Sequence, residues 1–309
     1  MRNRFVELLD FETALNSKIR LLTGDLGYGV LDNYSTKYPE NFINCGISEQ
    51  SMIGIAGGLS SMGQKVFVYS IANFPTFRCL EQIRNDLVYM NNNVVIVSVG
   101  AGFSYGSQGY THHGIEDLSI MRCLGDIEIY TPADAEELNI VFPKLVNSSR
   151  TSYLRLGKGG EPKTESLQIF SAEYIRKISS TEKIVGLKNV CVIACGPIAS
   201  SLIEVTKKLQ NLVNLDCFSV LKLDKDEIHK FYINSEYDYI FTLEEHVISG
   251  GFGSFINECL VQSPRNFQII NLGIKNPKSK VFGSQDYLRK YHKIDPESVI
   301  DIILDTATD

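Results

Sequence analysis

The sequence predicts an α/β protein of two domains, each a mainly parallel sheet flanked by helices, on three observations. Short β-branched runs alternate with amphipathic stretches, each run ends in a glycine-rich or polar turn, and the alternation lapses once, around residues 157–189, before resuming. Such alternation implies parallel strands joined by helical crossovers. The first series of strand candidates is IRLLT (19–23), KVFVYS (65–70), NVVIVSV (93–99), IEIYT (127–131) and SYLRL (152–156). One helix among them is well marked: after Ser48, the apolar residues Met52, Ile55, Ala56 and Leu59 follow the i, i+3, i+4, i+7 spacing of an inward-facing stripe, with Glu49 in the first turn. The run Gly157-Lys158-Gly159-Gly160-Glu161-Pro162 and the polar sequence after it read as a boundary, giving domains over 1–160 and 189–309 and a linker over 161–188. The second series offers NVCVIAC (189–195), VNLDCFSV (213–220), YDYIFTLEE (237–245) and NFQIINL (266–272), with helical sequence from Ser200 to Leu209.

With 309 residues, 44% hydrophobic and 21% charged, the chain has ample apolar material for two cores. Its 36 acidic and 30 basic residues leave a net charge of -6, which provides no basic footprint for nucleic acid or an anionic membrane. The seven cysteines are odd in number, scattered and without a C-x-x-C pair, so we expect reduced thiols rather than a disulfide framework or a zinc knuckle. Glu7, Asp10 and Glu12 interrupt any apolar leader region, and nowhere do 18 apolar residues run together, which points to a cytoplasmic protein without a membrane span.

Chemistry is concentrated in a few segments. No Walker loop occurs, and GAGFSYG (100–106) only approaches the G-x-G-x-x-G spacing, so its glycines read as tight turns at a strand end rather than a nucleotide cradle. In NCGISEQSMIGIAGGL (44–59), Glu49 stands at a helix start, where free backbone N–H groups favour its anion while apolar neighbours disfavour it; completing the first helical turn is its purely structural alternative. In SYGSQGYTHHGIEDLSIMR (104–122), two adjacent histidines lie in a glycine-bounded loop of the sort that lines ligand crevices after parallel strands. Adjacent imidazoles point apart and no third ligand lies nearby, so metal binding is not expected, and His113 is the member suited to packing.

The order GDLGYG (24–29), NCGISEQSMIGIAGGL, YSIANFPTFRCLEQIRND (69–86), GYTHHGIEDLSIMR (109–122) and YLRLGKGGEP (153–162) resembles the carboxyl-terminal half of transketolase, as encoded separately in split transketolases. It is similar also to the same half of deoxyxylulose-phosphate synthase, and more weakly to the beta subunit of 2-oxo acid dehydrogenases. The resemblance covers nearly the whole chain, a pyrimidine-binding domain followed by a carboxyl-terminal domain carrying EEHVISGGFGS (244–254). It implies thiamine diphosphate chemistry: transfer of a two-carbon ketol unit from a ketose donor to an aldose acceptor, with the glutamate matching Glu49 hydrogen-bonded to the cofactor's pyrimidine. It places Phe74 and Phe77 as the aromatic pair against that ring, Asp25 and Ile47 near the cofactor, and His112 on substrate hydroxyls and the donor carbonyl. Gln108, Lys158, Arg78 and Arg155 become candidate substrate contacts.

Departures from the family sharpen the expectation. Gln108 replaces an acidic residue that reads a sugar hydroxyl, Lys158 replaces a phosphate-binding arginine and lacks its bidentate fork, a phosphate-binding histidine becomes Gly100, and a serine becomes Gly29. These point to a sugar without the usual terminal phosphate, such as a deoxy or nucleotide-linked one. The G-D-G module that holds Mg²⁺ and the diphosphate in this family is missing; the only Gly-Asp pairs are Gly24-Asp25 and Gly125-Asp126. A partner subunit carrying that module is therefore implied, with two of each chain. Three readings stand: the second subunit of a split transketolase, a decarboxylating synthase or 2-oxo acid dehydrogenase beta subunit, or a non-catalytic structural subunit of the same fold. THHGIEDLSIMR argues for the transketolase and synthase branch.

Overall fold

The computed structural model describes residues 1–164, 169–233, 235–261, 268–277 and 280–307. Two six-stranded sheets, each with helices around it, carry the chain. The first is built from β1 (Ile19–Thr23), β2 (Phe42–Asn44), β3 (Lys65–Ile71), β4 (Val94–Val99), β5 (Glu128–Tyr130) and β6 (Ser152–Leu156), in the order β2-β1-β3-β4-β6-β5, with every pair parallel. Its helices are α1 (Arg2–Leu15), α2 (Asp32–Lys37), α3 (Glu49–Ser61), α4 (Phe74–Phe77), α5 (Leu80–Gln82) running on into a π-wound segment (Ile83–Tyr89), α6 (Asp117–Arg122) and α7 (Ala135–Asn147). Strands β3, β4 and β6 are almost wholly buried, as expected where helices cover both faces of a parallel sheet.

The second sheet comprises β7 (Ile169–Ala172), β8 (Ile175–Ser180), β9 (Asn189–Cys195), β10 (Asn214–Val220), β11 (Tyr239–Val247) and β12 (Gln268–Ile274), in the order β12-β11-β9-β10-β8-β7. Its four later strands pair in parallel, whereas β7 and β8 form an antiparallel edge. Around it lie α8 (Leu202–Lys208), α9 (Lys225–Ile233), α10 (Phe252–Leu260), α11 (Gln285–Tyr291) and α12 (Pro296–Ala307).

Three expectations need correction. The stretch 161–188 is not simply a linker, because β7 and β8 lie within it and complete the second sheet. The helix expected from Ser200 starts as a 3₁₀ turn over Pro197–Ser201. In α3 the inward stripe is Glu49, Met52, Ile53, Ala56 and Gly57, while Ile55 is 42% exposed. The stripe is rotated because Gly57 packs close to the π-wound segment, where an added Cβ would sit 3.1 Å from the Asp86 carbonyl. Strand candidates fared better: SYLRL and NVCVIAC match β6 and β9 residue for residue, and NFQIINL begins on residues outside those described. None of the seven cysteines is in a disulfide. Among the described residues no helix is long and apolar enough to cross a membrane.

Candidate active site

In the first sheet the chain passes from β1 to β2 on one side and then to β3 on the other, so the strand order reverses at β1. Open parallel sheets bind ligands at such a switch point, outside the carboxyl ends of the strands. Because all six strands run the same way, every loop that follows a strand opens at that same edge. Asp25 follows β1, Ile47 and Glu49 follow β2, Phe74, Phe77 and Arg78 follow β3, Gln108 and His112 follow β4, and Lys158 follows β6.

Glu49 is the first residue of α3 and only 5% exposed. Its carboxylate does not cap the helix; Oε1 instead accepts a hydrogen bond from Arg78 Nη1 at 3.1 Å. The Arg78 guanidinium also lies over the Phe74 ring, 4.1 Å from its centroid, so one side chain bridges the buried acid and the aromatic. Gly24, in the turn after β1, closes against this acid, since a Cβ there would lie 3.6 Å from Glu49 Cγ. The next residue, Asp25, takes a left-handed backbone (φ 56°) and is exposed. Hydrogen bonds from the Tyr28 hydroxyl (2.7 Å) and Asn44 Nδ2 (3.2 Å) hold its carboxyl below the usual range. Ile47 is a largely exposed apolar side chain just before α3.

Phe74, Phe77 and Arg78 line a cleft of about 400 Å³ together with Asn73, Tyr110, Thr111 and Glu116. The His112 ring meets Phe74 edge-on, 5.6 Å between centroids, and its Nδ1 lies 3.0 Å from the Thr111 hydroxyl. His113 is the packing member of the pair: 3% exposed, it sets Nε2 3.1 Å from the Gly106 carbonyl and its ring edge-on to Phe103. Asn73, Tyr110 and Glu116 were not expected here. Asn73 Nδ2 donates to the Thr111 carbonyl (3.1 Å) and the Tyr110 hydroxyl to Glu116 Oε1 (2.8 Å), so both tie the walls of the cleft together. The signal available in sequence was proximity alone: Asn73 adjoins Phe74, and Tyr110 and Glu116 lie two and four residues from His112. A larger cleft, about 610 Å³ and lined by Lys177, Asp216, Lys230 and Tyr237 among others, lies in the second domain toward the amino-terminal ends of its strands, away from these groups.

Of the four candidate substrate contacts, the structure removes one. Arg155 is 1% exposed and locked in a buried ion pair, Nε 2.7 Å from Asp117 Oδ2, so no face of it remains for a substrate. It sits in β6, covered on both sides, where a cation is tolerated only with a buried anion. Arg78 is half-exposed, and Gln108 and Lys158 are exposed, with Lys158 Nζ 5.2 Å above the Tyr105 ring. Tyr105 also fills the space beside Gly100 (φ 103°), where an added Cβ would collide with its ring. A longer side chain at position 100 has no room. At Gly29, by contrast, the space is open.

A buried carboxylate, an aromatic wall and an imidazole thus gather at the switch point of a two-domain α/β chain, where open parallel sheets bind their ligands. Residues 1–162 match the transketolase pyrimidine binding domain and residues 180–299 the transketolase C-terminal domain, and the chain belongs to the transketolase family, which depends on thiamine diphosphate. It is 30% identical over 305 residues to an apulose-4-phosphate transketolase subunit of Phocaeicola vulgatus, covering 96% of this chain and 94% of that one. It is also 29% identical over 279 residues to the 1-deoxy-D-xylulose-5-phosphate synthase of Buchnera aphidicola, covering 90% of this chain but 46% of that one. Among solved structures, a split gene transketolase described as an inactive β4 tetramer superposes with a TM-score of 0.82 at 28% identity, covering 99% of this chain and 97% of the other.

The residues present fit the pyrimidine half of that cofactor: Glu49 is buried and reaches the cleft through Arg78, and the cleft wall is mainly apolar. Among the described residues no group of three or more His, Cys, Asp or Glu side chains is arranged to hold a metal.

Proposed function

We propose that this chain is the pyrimidine-holding subunit of a two-chain transketolase that moves a two-carbon ketol unit from a ketose to an aldose. The observation carrying this reading is that Phe74, on the wall of one strand-end cleft, is joined through Arg78 to the buried Glu49 and meets the His112 ring edge-on. Thiamine diphosphate, once bound, supplies the electron sink for carbon–carbon cleavage. Glu49 accepts and holds a proton at a ring nitrogen, its burial strengthening that hydrogen bond. Phe74 and Phe77 give the ring an apolar face and keep water from it, Asp25 and Ile47 border it, and His112 hydrogen-bonds the sugar's hydroxyls and carbonyl.

Mg²⁺ and the diphosphate belong, in this reading, to a partner subunit with the G-D-G module, in an assembly of two of each chain. The relative of matching length whose structure is called an inactive β4 tetramer supports testing the two chains together rather than this one alone. The substrate is a non-standard sugar. Lys158 remains as a point charge, and the ring of Tyr105 occupies the room that a phosphate-binding side chain at Gly100 would need. The Phocaeicola relative is named for a phosphorylated sugar, so phosphorylated and unphosphorylated ketoses belong in one panel.

The test is co-expression with the chain of an adjacent reading frame containing G-D-G. Ketol transfer should need both chains, thiamine diphosphate and Mg²⁺, and should fall at least about 100-fold in Glu49→Ala, the scale of a lost proton-transfer group. Full activity of Glu49→Ala with saturating cofactor would overturn the reading, and pyruvate-dependent CO₂ release would place the protein with the synthases. Turnover of pentose phosphates as fast as that of a general transketolase would refute the substrate assignment alone.

A further inference from the structure

We infer that Glu245, in the second domain, is a positioning residue for the loop that carries Gln108 and His112; this rests on the function proposed above only in what the loop is positioned for. The loop leaves β4 and is pinched at its base by reciprocal backbone hydrogen bonds between Gly102 and Gly114, 2.8 and 2.9 Å. Beyond that pinch its own contacts are short-range turns, so its direction must be set from outside. Glu245 reaches it from β11. The carboxylate is 3% exposed, and Oε1 accepts the Phe103 backbone N–H at 2.5 Å and Gln285 Nε2 at 2.8 Å. Oε2 accepts Arg289 Nε at 2.6 Å and Nη2 at 2.5 Å, a two-pronged pair from α11.

Glycine makes this approach possible. Gly102 has φ 62°, and a Cβ there would lie 2.6 Å from Glu245 Cγ, Cδ and Oε1, so any side chain would push the acid away from the Phe103 amide. Neighbouring groups of the second domain act on the same segment. Gly283 N–H donates to the Gly106 carbonyl at 3.4 Å, the His292 ring stacks on Phe103 with centroids 5.3 Å apart and planes 9° apart, and Val247 N–H donates to the Ile115 carbonyl at 2.9 Å. The loop is thus held at its start by Glu245, in its middle by the segment leading into α11, and at its exit by β11. The stretch bearing Gln108 and His112 lies between these anchors and faces the first domain, where Asn73 donates to the Thr111 carbonyl and Phe74 meets His112. A charged, buried, multiply bonded acid is a stiff way to fix one backbone N–H, because any displacement leaves both the acid and Arg289 unsatisfied.

A mere domain staple and a positioning residue differ in what they change. Loss of a staple lowers stability and leaves the folded enzyme's constants alone, whereas loss of a positioning residue loosens one loop and weakens one substrate step. The experiment uses Glu245→Gln, which keeps volume but not charge, and Arg289→Met, which leaves the acid in place without its cation. Amide hydrogen exchange in the purified chain should rise about 10-fold or more across 103–113 in both variants while α3 keeps its protection. In the two-chain enzyme, with hydroxypyruvate as the donor probe, kcat/KM should fall about 10- to 100-fold, the cost of misplacing a reacting group by about 1 Å. Thiamine diphosphate affinity by calorimetry should stay within about twofold, since Glu49 and Phe77 hang on other elements. Unchanged exchange over 103–113 in both folded variants would overturn the proposal, as would loosened exchange with unchanged kcat/KM. A wild-type complex with no thiamine-dependent transfer would instead remove the function reading and leave the loop-anchoring result standing.

Discussion

Arg155→Met tests how much the buried Arg155–Asp117 pair contributes to the stability of the fold. Arg155 is 1% and Asp117 0% exposed, and the pair is bidentate, Nε to Oδ2 at 2.7 Å and Nη2 to Oδ1 at 3.2 Å. Nη2 also donates to the Gly114 carbonyl at 2.8 Å and, across the domain interface, to the Glu245 carbonyl at 3.2 Å. Methionine keeps much of the stem's apolar packing but removes all four hydrogen bonds. Asp117 is then left with the Tyr153 hydroxyl at 2.7 Å and with His246 nearby. Burial by itself pushes the Asp117 carboxyl up. Arg155 charge and hydrogen bonds, with the Tyr153 hydroxyl, outweigh that and hold it below the usual range, so without the guanidinium the carboxylate becomes an uncompensated buried charge. Breaking a buried pair from one side costs about 3–5 kcal/mol, which is the loss expected in urea unfolding followed by far-UV circular dichroism, the chain having no tryptophan. Removing both charges in Arg155→Met with Asp117→Asn should cost clearly less than the sum of the single changes, with a coupling of about 2 kcal/mol or more. A loss below about 1 kcal/mol for Arg155→Met, or strict additivity in the cycle, would falsify the claim that this buried pair acts as a coupled unit.

Two further outcomes follow from the geometry. His112→Asn retains a hydrogen-bonding side chain against Phe74 but no imidazole, and kcat/KM for the ketose donor should drop about 100-fold while cofactor affinity is kept; a loss confined to cofactor affinity would contradict its assignment to substrate. His246 is neutral in the fold, with Nε2 accepting the Leu118 N–H at 3.1 Å and Nδ1 donating to the Val247 carbonyl at 2.7 Å, and burial, against the pull of Asp117, pushes its pKa down from 6.5 to about 4. Between pH 6.5 and 4 the unfolded chain binds a proton that the folded chain refuses, so stability falls as the pH falls through that window. The difference in unfolding free energy between the parent and His246→Gln should therefore shrink by about 3 kcal/mol from pH 7 to pH 4, and parallel pH curves would show that the histidine takes up its proton freely in the fold.

Much of the fold was legible because strands and turns are local events. β6 and β9 were bounded correctly from β-branched runs and the turns that end them, and the start of α3 at Glu49 followed from the change of period after Ser48. The antiparallel pair β7 and β8 was missed, since β8 (IRKISS) carries polar residues and its identity depends on pairing with β10 on one side and β7 on the other. The helical stripe of α3 was read one residue out of phase at Ile55, because a chain with Gly54, Ala56, Gly57 and Gly58 gives weak evidence of which side is inward until a neighbour packs against it.

The candidate site divides in the same way. Its residues are short motifs that follow β1, β2, β3 and β4; the sequence grouped Asp25, Glu49, Phe74 and His112 through its resemblance to a family, and parallel strands bring all of these turns to one edge of the sheet. What it left open was the fate of the charges. Lys158 and Arg155 stand three residues apart, one exposed in the glycine-rich turn and the other sealed in β6, and nothing local names the anion that seals the second. Only the tertiary structure decides this, by placing Asp117 beside Arg155 from 38 residues upstream and Glu245 against Phe103 from 142 residues downstream. A buried charge is defined by its partner and by the water excluded around it, and both come from distant parts of the chain, within the first domain for Asp117 and Arg155 and across the two domains for Glu245 and Phe103.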